Sequence, residues 1–111
     1  MIRRNERELW SPPVWVDFMA RDAKGRVPLD YPGTLKDLEA HSIDLRIDMR
    51  LTLYTLDATL NSDPDDLVGV GKVEWDGIKQ RWMVAIDWRS LIHVSEMDEV
   101  DRTLYRKARC A

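Results

Sequence analysis

At 111 residues, with 44% hydrophobic and 33% charged residues, the chain reads as one soluble domain large enough for a single core. The formal net charge of -3 lacks the basic excess of a nucleic-acid-binding face, and a single cysteine, Cys110, rules out an intrachain disulfide. No apolar run approaches the roughly 20 residues of a membrane helix, and no signal-peptide core follows Met1, so the expected location is cytoplasmic.

Residues 1–13 read as a charged arm in which Arg3, Arg4 and Arg7 face Glu6 and Glu8, closed by Pro12-Pro13. Glu6 and Glu8 dilute the basic charge, which favours an ordinary solvated terminus over a tail for an acidic partner. Residues 14–94 form the expected β domain. Val14, Val16, Phe18 and Ala20 alternate with Trp15, Asp17 and Met19, the period of a strand. Asp22 to Gly25 marks a turn. Val27, Leu29 and Tyr31 make a second strand, and Pro28 places it at an edge because proline lacks a ladder donor.

Pro32-Gly33 breaks the chain. Thr34 with Asp37 resembles a capping box, and Leu35 and Leu38 then face the core from a short helix ending near His41. Ile43, Leu45, Ile47, Met49, Leu51 and Leu53 form the longest period-two run, opposite a solvated face of Asp44, Arg46, Asp48, Arg50 and Thr52. One strand of that length is long for so small a domain, which suggests a turn near Ile47-Asp48. Residues 57–66 read as a mobile acidic turn. Asn61, Asp63 and Asp65 match the first half of a calcium loop, but Asp66 stands where glycine is needed and Lys72 where the bidentate glutamate belongs.

The stretch from Leu67 to Trp88 is a hairpin holding three of the five tryptophans. In its second arm Trp82, Val84, Ile86 and Trp88 share one face while Met83 and Ala85 make the other apolar, as in a central strand. In the first arm Val68 and Val70 are out of phase with Val73 and Trp75, and Gly71 at the break suggests a β-bulge. Asp76-Gly77 signals the turn. A two-residue turn pairs Trp75 with Ile78, a four-residue loop pairs Val73 with Trp82, and both keep the tryptophans on one face. After a corner at Arg89-Ser90, Leu91, Ile92 and Val94 make a last short strand. Residues 95–111 read as an amphipathic helix capped by Ser95 with Asp98, carrying Met97, Val100, Leu104 and Ala108 at helical spacing with Tyr105 beside them. Its acidic start and basic end suit the helix dipole. The fold expected is mainly β: a small barrel or rolled antiparallel sheet, with a short inserted helix and a C-terminal amphipathic helix.

The segments RDAKGRVPLDYPGT, MRLTLYT and VEWDGIKQRWMVAIDW, together with the short strands and the central hairpin, resemble a group of small uncharacterised bacterial proteins with an SH3-like β-barrel. The resemblance covers most of Trp15 to His93. In that group a glycine-containing turn precedes the LTLY strand, where this chain has Ile47-Asp48. The resemblance implies a fold and brings no activity with it.

No recognised catalytic, nucleotide or metal spacing is present, and the two histidines, His41 and His93, lack a nucleophile partner, so the chain is expected to be neither an enzyme nor a cofactor or metal binder. Cys110, near the terminus, is poorly placed for catalysis. The aromatic side chains are more informative. Trp15, Tyr31 and Trp75 are the expected binding residues of a non-catalytic interaction module that takes a protein partner or a second copy of itself. The alternative is a nucleic-acid-associated barrel whose basic patch joins Arg3, Arg4 and Arg7 to Arg102, Arg106, Lys107 and Arg109. The acidic balance counts against it.

Overall fold

The computed structural model describes residues 11–110, the side chain of Cys110 excepted. Arg3, Arg4, Arg7 and most of the charged arm, like the Cys110 thiol, lie outside the described residues. The elements are β1 (Val14–Trp15), β2 (Arg26–Pro28), α1 (Pro32–Ala40), β3 (Arg50–Thr55), β4 (Leu67–Asp76), β5 (Arg81–Ile86), β6 (Ile92–His93) and α2 (Glu99–Cys110). The strands form one curled sheet in the order β1-β3-β4-β5-β2, and β6 pairs the start of β4. The result is a mainly β half-barrel with two helices. β2 lies at an edge, as Pro28 requires, and β5 is central. The sheet is not wholly antiparallel, because β1 runs parallel to β3. Parallel neighbours need a long connection, and β2, α1 and the turns before β3 supply it.

Several expected strands are shorter than their alternation. After β1, Asp17 accepts from Met19 N and turns Phe18–Ala20 into a 3-10 helix, so the strand stops at Trp15. The run from Ile43 becomes a strand only at Arg50. Asp48 adopts φ 69 and its N–H bonds Val73 O, which supplies a turn at Ile47-Asp48. Ile43, Leu45 and Met49 still pack on the core, while Ile47 is exposed.

The hairpin departs from both expected registers. Trp75 pairs with Trp82, Asp76 with Arg81 and Val73 with Val84, leaving Gly77 to Gln80 as the loop. Gly77 does not supply the left-handed residue. Gln80 does, at φ 55, and Asp76 Oδ1 accepts from Ile78 N and Lys79 N to hold the turn. Nor is there a bulge at Gly71, since β4 pairs residue for residue with β3 across it and with β5 up to it. The phase change has another cause: β4 serves both faces. Val73 joins Val14, Val27, Leu51, Leu53 and Val84 on one face, while Val68 joins Tyr54, Val94, Met97 and Tyr105 on the other. Gly71 faces the first cluster. A Cβ there would lie 2.7 Å from Val84 Cγ2 and 2.8 Å from Ala85 O, so the missing side chain lets the strands close.

Both helices differ in detail from the sequence pattern. α1 begins at Pro32 without a side-chain cap. Thr34 is buried, and Asp37 turns instead to Trp15 N and Tyr54 Oη. Leu38 is buried but Leu35 is half exposed. In α2 the cap is Asp98, whose Oδ1 accepts from Asp101 N at 2.8 Å, because Ser95 is held by Asp65. Of the expected apolar face, Met97 and Tyr105 are buried while Val100 and Leu104 are exposed, and the helix turns Asp101 inward in their place. The 57–66 loop is tied down: Ala58 bridges Pro64, and Asp65 bonds Ser95 N and Oγ at 2.8 Å.

Candidate binding surface

The three aromatic residues expected to bind do not form one surface. Trp15 and Tyr31 come together, with ring centroids 6.4 Å apart, where β1 meets the start of α1. Both are half-buried. Trp15 belongs to the second-face cluster, its backbone N–H is fixed by Asp37, and its ring lies so close to Gly33 that a Cβ there would sit 3.1 Å from Cε3. Such contacts on several sides describe a packed side chain more than a free one.

Trp75 sits on the first face, at the hairpin end. It packs edge-on against its cross-strand partner Trp82, with centroids 5.2 Å apart at 71°, yet remains 41% exposed. Trp82 continues this surface into an open groove of ≈ 670 Å³ walled by Leu35, Ile43 and Leu45, with Glu39 and Asp44 at its rim. The sequence pattern puts Trp82 on an apolar face of a central strand, and it packs against the first cluster. It is half-buried because β5 carries it to the end of the sheet, where α1 and the turns before β3 cover only part of the ring. Its neighbour Arg81 pairs with Asp30, which keeps the Asp30 carboxyl below its ordinary range through a direct hydrogen bond. Below the tryptophan pair, Arg26 holds Asp22 and Asp76 at 2.9 Å and Glu74 at 3.5 Å, tying β2 to β4 across β5. This ion cluster was missed in the sequence, where only the Asp22–Gly25 turn is legible.

The basic residues of α2 divide. Arg102 donates to Val94 O and Met97 O, and Arg109 Nε bonds Asp66 while its guanidinium lies 4.1 Å over the Tyr54 ring. Arg106 and Lys107 are exposed. The Tyr105 hydroxyl donates to Asp66 at 2.6 Å and the Tyr54 hydroxyl to Asp37 at 3.0 Å. Burial, then the Asp37 carboxylate, pushes the Tyr54 phenol up to about 12; burial and Asp66 raise Tyr105 further. Neither phenol ionises near neutrality, so both serve as donors. His93 bonds Asp57 at 2.9 Å, and this contact raises the imidazole pKa. Among the described residues no group of three or more His, Cys, Asp or Glu side chains converges to hold a metal ion, and no helix is long and apolar enough to cross a membrane. Comparison with family models, curated proteins and solved structures found no match.

Proposed function

We propose that the chain is a non-catalytic interaction module, an SH3-like half-barrel acting in the cytoplasm, that binds a protein partner or a second copy of itself. The observation that supports this reading most strongly is the Trp75–Trp82 pair at the hairpin end, with Trp75 exposed and the half-buried Trp82 continuous with the Leu35–Leu45 groove. Paired tryptophans present a large rigid area at small entropic cost, which is how protein interfaces are commonly anchored. Trp75 serves as the anchor, Trp82 orients it and Leu35 extends the apolar patch. Trp15 and Tyr31 support the same surface only through the fold.

Light scattering after size exclusion, followed by cross-linking in a lysate with wild-type and Trp75→Ala protein in parallel, tests the proposal. Self-association or a cross-linked protein that disappears in Trp75→Ala at unchanged thermal stability supports it. Identical behaviour of the two proteins contradicts it. A complex that consists of nucleic acid, is lost with Arg106 and Lys107 and is indifferent to Trp75 replaces it with the electrostatic reading.

A further inference from the structure

The second face of the sheet carries a cleft of its own, between α2 and the 57–66 loop. It measures ≈ 530 Å³, within the range of small-molecule sites. Leu56, Pro64 and Val94 form its apolar wall; Tyr105, Arg106 and Arg109 line the other side, with Asp66 between them. Leu56 is 66% exposed, unusual for a leucine directly following a strand unless something covers it.

The charged side of the cleft is organised before any ligand arrives. Arg109 is pinned by its Nε to Asp66 at 3.3 Å and by the Tyr54 ring beneath its guanidinium at 4.1 Å. Its side chain is 33% exposed, so the guanidinium reaches the cleft while Asp66 and Tyr105 hold it in place. A planar guanidinium held in one orientation and partly exposed to the cleft suits a carboxylate. Arg106 adds a second cation on the same wall, and Asp66 offsets only one of the two. The opposite wall requires an apolar body on the same ligand.

We propose that this cleft binds a small organic acid, its carboxylate on Arg109 and Arg106 and its hydrocarbon body against Leu56, Pro64 and Val94. The site is separate from the Trp75–Trp82 surface, which lies on the opposite face. Octanoate is the probe, with octan-1-ol and octylammonium as controls, read by amide NMR shifts on the full chain. The expected result is a saturable shift of the Leu56, Val94 and Arg106 amides. Affinity falls by about tenfold or more when the carboxylate becomes a hydroxyl, because the charge-assisted bonds are lost. Octylammonium leaves these amides unmoved. Leu56→Asp, at an exposed position, abolishes the octanoate shifts. Should that variant unfold, Arg106→Gln replaces it and weakens octanoate while leaving octan-1-ol unchanged. Equal affinity for octanoate and octan-1-ol, shifts that do not saturate or fall elsewhere, or octanoate binding unaffected by the folded variant overturns the proposal.

Discussion

Trp15 lies on the edge strand β1 and Trp75 on the interior strand β4, on opposite faces of the sheet. Trp15 is enclosed by Gly33, Tyr31 and the Asp37 hydrogen bond to its own N–H. Trp75 has one aromatic neighbour, Trp82, and is 41% exposed. Both are strand tryptophans on an alternating pattern. What separates them is a helix: α1 closes over β1, whereas nothing among the described residues closes over the hairpin end. The use of an aromatic side chain is therefore decided by the element that arrives on top of it, not by its strand.

This contrast can be broken at the backbone first. Gly71→Ala forces a Cβ against Val84 and the Ala85 carbonyl between the strands that carry Trp75 and Trp82. It should destabilise the protein by about 3 kcal/mol in urea unfolding, since overpacking against backbone cannot relax by a rotamer change. Gly77→Ala, with nothing within 4 Å, should leave stability almost unchanged, and a loss like that of Gly71→Ala would contradict the hairpin register. Next comes the second face. Tyr105→Phe removes the phenol donor to Asp66 and should cost about 1–2 kcal/mol. The same change should leave the Trp75 surface, and any binding there, intact.

Gly33→Ala is a finer probe of Trp15. An alanine in a helix is favoured over glycine by up to about 1 kcal/mol, and a loosely held Trp15 ring would let that gain appear. With a Cβ 3.1 Å from Cε3, the gain should be cancelled, leaving stability within about 0.5 kcal/mol of wild type. The smallest effect is from pH. Asp57 raises the His93 pKa above its ordinary 6.5, so this contact stabilises the fold fully at pH below that value. Its contribution is lost as pH rises through the raised value. Wild type should therefore lose slightly more thermal stability than His93→Gln between about pH 6 and pH 8, and the partial exposure of both groups keeps the difference small.

Period-two alternation made the strands legible at Leu51–Leu53 and Trp82–Ile86, and the Pro28 edge followed from backbone chemistry. The phase break at Gly71 was also visible, but alternation cannot distinguish a bulge from a strand whose two halves feed two cores. That distinction depends on Val94, Met97 and Tyr105 arriving on the second face from far along the chain. The inward face of α2 was legible only in part, for a similar reason. Tyr105 and Asp101 win burial over Val100 and Leu104 because Asp66 waits for the phenol and the sheet offers Tyr54 and Val68 as a floor. At the candidate site, the aromatic character of Trp75 was legible, whereas its pairing with Trp82 required the hairpin register. The Arg109–Asp66–Tyr105 group left no local signal, since its members come from two separate segments.

The most direct measurement is urea unfolding of Trp15→Ala and Trp75→Ala side by side. Removal of the packed ring should cost Trp15→Ala about 2–4 kcal/mol, while Trp75→Ala, losing one edge contact and exposed area, should stay within about 1 kcal/mol of wild type. Comparable losses in the two variants, or the larger loss in Trp75→Ala, would mean that Trp75 belongs to the core and that the tryptophan pair is not available to a partner.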